Sequence, residues 1–495
     1  KKVIQVHPDD NVVVALKELP EGSEIELDGT SLSLRADIPS GHKIALQKVY
    51  AGEEIVKYGF PIGAATTAIV PGDWVHSHNL KTQLSGAQEY KYEPVGSPNF
   101  DKRGPETFMG YRRADGKVGT RNEIWILNTV GCVNKTAEII ARECRTLYPE
   151  QVDGFNYFNH PYGCSQLGDD LEYTQEVIRG LVTHPNAGGV LVLGLGCENN
   201  QIPSLLQGVP EERLDRVRYF NAQEVEDEVD AGIEAVEELL ELAGSDEREP
   251  CPVSELVLGM KCGGSDGLSG ITANPLIGRI SNRVTEFGGT AILTEVPEMF
   301  GAEQVLMNRA KGEQTFHDIV ELINGFKQYF IDHDQPVYEN PSPGNKDGGL
   351  TTLEEKSLGA IQKGGDAIVT GTVSYGRQVD QKGLVLLESP GNDGVSCTAE
   401  TVAGATMLLF STGRGTPLGF PAPTMKISTN TPLAEKKKRW IDFNAGSLAD
   451  GTSDWEELTD ELWDKIIRVA SGEEETQNEK YDYREIAIWK HGVTL

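Results

Sequence analysis

The chain has 495 residues with 76 Asp plus Glu against 45 Lys plus Arg, a formal net charge of −31, and 38% hydrophobic residues. At roughly 100–200 residues per domain this length predicts two to four domains, and the charge argues against a non-specific binder of nucleic acid or of an anionic membrane. No stretch approaches the roughly 18 uninterrupted apolar residues of a membrane span, and KKVIQVHPDDNVVV lacks the apolar centre of a signal peptide, so the expected location is cytoplasmic. Seven scattered cysteines, an odd number, fit free thiols in a reducing compartment better than a disulfide framework.

Residues 1–80 alternate short apolar runs (VIQV, VVVAL, HKIALQKV, TTAIV) with glycine and proline turns, which predicts a compact all-β module of short strands. The polar stretch 80–108 has no apolar periodicity and reads as a linker. From Glu123 onward a strand, a small-residue turn and a helix recur: EIWILNTV before GCVNKTAEIIARECRTLY, and GGVLVLGL before GCENNQIPSLLQ. SELVLGM before KCGGSDGLSGITANPLIG and GLVLLESP before GNDGVSCTAETVAGA repeat it. Such alternation predicts α/β domains with parallel sheets, whose ligands sit at the carboxyl ends of strands beside helix N-termini. Residues 224–249 carry twelve acidic side chains and one arginine, a solvated acidic helix expected to separate the two α/β portions. SDWEELTDELWDKIIRVASG (453–472) places Leu458, Leu462, Ile466 and Val469 on one helical face, as in a packed terminal helix.

The turns are where chemistry is expected. In GDWVHSHNLKT, His76 and His78 are two apart and on an extended strand would project from one face, an arrangement open to metal sharing and equally to a pair of surface histidines. His42, Lys43 and Lys57 lie near glycine turns, where lysines either clamp a carboxylate or are solvated. The turns around GCVN, HPYGCSQ, GLGCENNQ, KCGGSDGLSG and SPGND expose backbone N–H groups suited to an anion. Cys132, Cys164, Cys197 and Cys262 all lie in these turns, as thiolate ligands of iron or zinc or as small buried thiols. Glu295, Glu298, Lys346 and Arg414 are candidates for acid–base work or carboxylate recognition. Walker A and G-x-G-x-x-G patterns are absent from the sequence, leaving a nucleotide site without support.

Together these motifs resemble the altronate and galactarate dehydratase family of sugar-acid dehydratases over nearly the whole chain. IPSGHKIAL, VKYGFPIGAAT and GDWVHSHNLKT resemble its N-terminal SAF (β-clip) domain, and GYRRADGKVGTRN, HPYGCSQ, LGLGCENNQ and MKCGGSDGLSG its central region. NPSPGNKDGGLTTLEEKSLGAIQKGG, PGNDGVSCTAET, FSTGRGTPLGFPAPTMKISTN and WIDFNAG resemble its C-terminal region, and WIDFNAG with REIAIWKHGVTL points to the altronate-acting branch. Ser77 departs from the β-branched residue expected in HSHN. The resemblance implies a multidomain α/β fold: a SAF domain at 1–82, a linker at 83–108, a central α/β domain at 109–250 and a C-terminal α/β domain at 251–495, the sheets largely parallel.

The same resemblance implies a hydro-lyase that removes water from an aldonic acid to give a 2-keto-3-deoxy acid. It implies ferrous iron, with Mn2+ or another divalent ion as alternatives. His76 and His78 would be metal ligands, with an alternative set of Cys164, Cys197 and Cys262, and an iron–sulfur cluster held by turn cysteines is a further option. A lysine (Lys43 or Lys57) or His42 would be the general base, with Asn79 facing the same pocket. Gly263, Gly264, Ser265, Asp266, Asn392, Asp393 and Arg414 would hold the carboxylate and hydroxyls. The expected partner is a small-molecule sugar acid, with neither nucleic acid nor membrane, and the expected assembly a homo-oligomer. Galactarate dehydration, a sulfolyase reaction on the same scaffold and non-catalytic carbohydrate binding are the rival readings.

Overall fold

The computed structural model describes residues 2–27, 29–96 and 98–492. The N-terminal module is all-β, as the turn-punctuated sequence requires. Val3–Ile4, Val12–Ala15, Lys43–Ala45 and Trp74–Val75 form a four-stranded antiparallel sheet. Glu54–Lys57, Phe60–Ala65 and Leu80–Lys81 form a three-stranded one, also antiparallel. The segment expected as a free linker is laid along the C-terminal domain: Tyr90 donates to Glu303 (2.6 Å) and Tyr92 to the Ala310 carbonyl (3.1 Å).

The central domain carries a four-stranded parallel sheet in the order Gly154–Phe158, Glu123–Asn128, Ala187–Gly194, Val217–Asn221. Its middle strands are buried along their whole length, so they read as continuous apolar runs without alternation. The acidic helix Glu228–Ala243 buries Val236, Leu239, Leu240 and Ala243 in the core of this sheet. It is therefore one layer of the central domain and not a divider between two domains, because its single apolar stripe is long enough to seat it on the strands.

The C-terminal domain is built on seven parallel strands in the order Val369–Val373, Gly383–Leu387, Thr290–Leu293, Val257–Cys262, Met407–Thr412, Thr424–Ser428, Phe443–Asn444. The first strand in sequence, Val257–Cys262, has its successor on one side and Met407–Thr412 on the other. Connections leaving it and its neighbour therefore diverge, opening a crevice at the carboxyl ends, the place where open α/β sheets hold ligands. The central sheet has the same feature, since Glu123–Asn128 lies between the two strands that follow it. The helix Trp455–Ala470 starts where Asp454 accepts from the Glu456 and Glu457 amides (2.9 Å each) and buries Leu458, Leu462, Ile466 and Val469, as its spacing predicts.

Candidate active site

The N-terminal β module docks on the C-terminal domain at the helix Leu353–Ala360, all of whose residues are buried, and at the turns just before it. Thr352 caps it, accepting from the Glu355 amide, and donates to the Ile62 carbonyl at 2.6 Å. The next turn presents three charges in a row. Glu354 accepts from the Thr82 hydroxyl (2.9 Å) and the Gln83 amide (2.8 Å). Glu355 receives Lys43 on one oxygen and Lys57 on the other, both at 2.8 Å with all three side chains fully buried. Lys356 turns the opposite way and pairs with Glu298 at 2.7 Å.

One carboxylate between two ammoniums sets their titration. Burial alone would raise Glu355, but Lys43 and Lys57 hold it down to about 2. Burial, reinforced by the Lys57 charge, brings Lys43 down to about 8 despite Glu355, whereas for Lys57 burial is outweighed by Glu355 and the pKa rises. All three Lys43 protons have acceptors: the Gly349 carbonyl, the Thr351 hydroxyl and Glu355, each at 2.8 Å.

Above this pair lie the imidazoles. His42 Nδ1 accepts from the Trp74 indole (3.1 Å) and its Nε2 faces the Asp347 carbonyl (3.3 Å), which fixes the Nε2–H tautomer. His76 stacks on Trp74, with ring centroids 5.4 Å apart and planes 6° apart, and its Nδ1 meets the Thr351 hydroxyl at 3.2 Å. Burial, then the charges of Lys43 and His42, lowers His76 to about 4, so it is neutral at ordinary pH. Its Nε2 is free of hydrogen bonds among the described residues, and the residue is partly exposed.

The strand ends at Val75, and residues 76–79 make a turn closed by the Asn79 amide on the His76 carbonyl (3.0 Å), with His76 half-buried, His78 exposed and both ring centroids 5.4 Å from that of Trp74. Asn79 is consumed by that turn, accepting from the His76 amide and donating to the Trp74 carbonyl (2.9 Å each).

Beneath the glycine turn that follows Val257–Cys262 is a second, wholly buried cluster. Lys261 pairs with Glu295 and, at 2.9 Å, with Asp393; Lys363 stands 2.8 Å from Cys262 Sγ and 3.7 Å from Glu295. The Cys262 thiol donates to Glu298 at 3.1 Å. Although burial opposes it, Lys356 keeps Glu298 down to about 2, while burial and the Glu298 charge push Glu295 up to about 7. Glu295 is also held in the left-handed region (φ 66°), which costs a non-glycine residue roughly 1–3 kcal/mol and is typical of functional positions.

Of the anion-binding turn residues, Arg414 is exposed and its guanidinium has no ion pair among the described residues; its amide donates to the Gly264 carbonyl (3.0 Å). Asp393 is the outlet of the buried cluster, its side chain 36% exposed beside Gly263. Asp266, expected to bind substrate, is instead buried and spent on Thr429 (3.0 Å), Ser269 (3.0 Å) and the Leu268 amide (3.1 Å). Asn392 is likewise spent, as the cap of the helix Asp393–Val402, and the Ser265 carbonyl accepts from Asn345 (2.9 Å).

Three family models cover this architecture: the altronate/galactarate dehydratase SAF domain on residues 1–83, the D-galactarate dehydratase/altronate hydrolase second domain on 110–244, and the D-galactarate/altronate dehydratase C-terminal domain on 253–494. The chain belongs to the altronate/galactarate dehydratase family. Curated family members similar over the full length include an altronate dehydratase of Bacillus subtilis, 51% identical over 100% of both chains, and one of Escherichia coli, 50% identical over 99% of each. A galactarate dehydratase (L-threo-forming) of Escherichia coli is 36% identical over 98% of this chain and 96% of its own.

For the metal that the family resemblance implies, Cys262, Glu295 and Glu298 are the three ligating groups whose donor atoms lie within 4.8 Å of one another among the described residues. In kind, a thiolate with two carboxylates suits a divalent transition metal. The place is taken, however. Lys363 sits among the donors, Lys261 and Lys356 bind the carboxylates, and burial, with Glu298 adding to it, holds the Cys262 thiol protonated with a pKa of about 12. As folded, this is a lysine-neutralised cluster that does not fit a dication. The motifs quoted from the sequence contain Lys261, Glu355, Lys356 and Lys363 unremarked; for Lys261 and Lys363 the apolar and small-residue surroundings were the signal, whereas Glu355 and Lys356 look like an ordinary charged helix turn.

Proposed function

We propose that this protein is a hydro-lyase that converts D-altronate into 2-keto-3-deoxy-D-gluconate and water, a step of hexuronate breakdown. The observation that carries the reading is the full-length likeness to altronate dehydratases at about half identity, with every domain present. Arg414, exposed and unpaired, takes the substrate carboxylate in a charge-assisted contact, and the glycine turn at Gly263 and Gly264 leaves room for the carbon chain. His76 Nε2 accepts the proton from C2, and the imidazolium so formed returns it to the hydroxyl leaving C3. One hydrogen and one hydroxyl depart as water, and the enol tautomerises to the ketone. The nearby Lys43 charge keeps His76 neutral before the reaction and favours return of the proton afterwards.

Ferrous iron, or Mn2+ or another divalent ion in its stead, is the metal of this reading. Since the Cys262 cluster does not accommodate one, no step is assigned to it. The protein is read as a cytoplasmic homo-oligomer acting on a free sugar acid. The test is an anaerobic assay of metal-stripped protein with D-altronate, with and without ferrous iron, and with galactarate as comparator. Iron-dependent keto acid from altronate supports the reading. Product from galactarate alone, or none from either acid, overturns it in favour of the galactarate, sulfolyase or binding alternatives. His76→Gln is expected to lower kcat by about 10²–10⁴ with an unchanged fold.

A further inference from the structure

Cys262 Sγ and Lys363 Nζ are 2.8 Å apart, and neither residue is more than 2% exposed. The distance is short for its kind. The other nitrogens that meet a cysteine sulfur among the described residues, Arg112 on Cys251 and Gln223 on Cys197, stand at 3.7 and 3.6 Å. Two atoms bonded to a common third lie about 2.5 Å apart at ordinary single-bond lengths, and slightly more when one of them is sulfur. The Lys363–Cys262 separation is therefore closer to that of a pair joined through one atom than to the other nitrogen–sulfur contacts.

Nothing else serves this amine well. Lys43 has three oxygen acceptors at 2.8 Å, and Lys356 has Glu298 at 2.7 Å, Asn340 at 3.0 Å and Asn345 at 3.2 Å. Lys363 has the Cys262 sulfur alone within hydrogen-bond distance among the described residues, its nearest carboxylate, Glu295, standing 3.7 Å away. Thiol sulfur is a weak acceptor, so this buried ammonium is poorly compensated beside its neighbours.

Both groups have a proton acceptor at hand. Glu298 is 3.1 Å and Glu295 3.9 Å from Cys262 Sγ, and Glu295 is also the carboxylate that faces Lys363. The cluster reaches solvent at Asp393, which lies against Gly263, the residue after Cys262.

We propose that Cys262 and Lys363 are joined covalently through one oxygen atom, as Nζ–O–Sγ, when the protein meets hydrogen peroxide. Sulfur attacks the first peroxide as Glu298 takes the thiol proton; the O–O bond breaks, Cys262 becomes a sulfenic acid, and the departing hydroxide recovers the proton as water. Lys363 then gives its extra proton to Glu295 and reacts as the free amine. A second peroxide removes one hydrogen from the nitrogen and one from the sulfenic oxygen, the N–O bond forms, and two waters leave. Each peroxide gains two electrons, and dithiol reductants reverse the change, releasing the bridging oxygen as water. Burial holds the thiol protonated and slows the first step, and it leaves the amine as the group nearest the oxidised sulfur. The bridge removes the ammonium that faces Glu295 and ties the turn Ile361–Gly364 to the end of the strand Val257–Cys262, just before the glycine turn. An oxidant is thereby coupled to the floor of the crevice.

The full-length protein is treated with hydrogen peroxide, its free thiols are alkylated, and it is digested with trypsin without reductant. The wild type is expected to yield peptides 262–279 and 357–377 as a linked pair, uncleaved at Lys363 and about 14 Da heavier than their sum, from one oxygen gained and two hydrogens lost. Dithiothreitol added before alkylation is expected to return the separate peptides. Cys262→Ser and Lys363→Gln are each expected to lose the pair, and Cys397→Ala to keep it. Treated wild type without the pair, whether Cys262 stays a thiol, gains about 32 Da as a sulfinic acid or is joined to Cys397, overturns the proposal. A pair that survives Cys262→Ser does the same. The wild-type digest decides on its own where a variant folds poorly. Masses are read without substrate, so this outcome is independent of whether altronate is dehydrated.

Discussion

Lys43 and Glu355 are 312 residues apart in the chain and 2.8 Å apart in space, both with fully buried side chains. With Lys57 on the other carboxylate oxygen, this triad joins the SAF module to the C-terminal domain. Removing the shared counter-charge by Glu355→Gln leaves two buried ammoniums facing an amide. A loss of about 3–5 kcal/mol is expected in chemical unfolding, together with early proteolysis in residues 83–106. Replacing all three by methionine is expected to recover most of that stability while abolishing turnover, because the cost lies in the unpaired charges and not in lost packing. If the triple variant is as unstable as the single one, the ion triad is not what joins the domains.

A different carboxyl group gives the fold a pH dependence. Glu400 is buried behind Val257–Cys262, with one oxygen accepting from the Met260 amide (2.8 Å) and the other unpartnered. Burial, and then the Glu295 charge, raises its pKa from 4.5 to about 8. A carboxyl group that stays protonated longer in the folded state contributes its full stability below about pH 4.5 and loses it as pH rises to about 8. Glu400→Gln, which mimics the protonated form, is expected to leave Tm unchanged near pH 4 and to exceed the wild type increasingly up to pH 8. The slope is at most about 1.4 kcal/mol per pH unit, levelling off above. Parallel Tm curves for the two proteins would count against a protonated Glu400.

Arg414 is exposed at the rim, and nothing in the fold depends on its guanidinium. A charge-assisted contact to a carboxylate is worth about 1.5–3 kcal/mol, so Arg414→Ala is expected to raise KM about 10- to 100-fold with Tm unchanged. Arg414→Lys should restore only part of the loss, since the two-pronged geometry is missing. A fall in kcat with KM unaltered would move Arg414 from carboxylate binding to the chemical step.

The strand–turn–helix units were legible because these buried parallel strands are mostly apolar runs followed by small residues: EIWILN, LVLG, VLGMKC and GLVLL are all in strands. Which turns meet was not legible. Glu354, Glu355 and Lys356 resemble the ordinary charged first turn of a surface helix, and only partners from residues 43, 57, 82 and 298 make them buried. In the HSH motif the Asn79 side chain folds residues 76–79 into a turn, an option that two-residue spacing does not reveal. Asp266 was misread because a carboxylate in a glycine turn can serve its own turn as readily as a ligand.

Docking of the SAF module also rests on glycine backbones in contact. A Cβ at Gly267 would lie 1.9 Å from the Gly41 carbonyl oxygen, and one at Gly349 would lie 2.5 Å from the same atom. No side-chain movement relieves a clash with backbone, so Gly267→Ala must displace the His42 and Lys43 strand from the C-terminal turn. A shift on the order of 1 Å at reacting groups costs about 100-fold in rate, and a loss of kcat of that size is expected. The Gly267→Ala protein should keep the main unfolding transition of the two α/β domains and gain a faster proteolytic cut between the SAF module and the rest. Gly344→Ala, in the neighbouring short helix Pro343–Asp347 with nothing within 4 Å of the added carbon, is the matched control and is expected to behave as the wild type. Equal activity in the two variants would show that the SAF strand does not need its present seat to support the reaction.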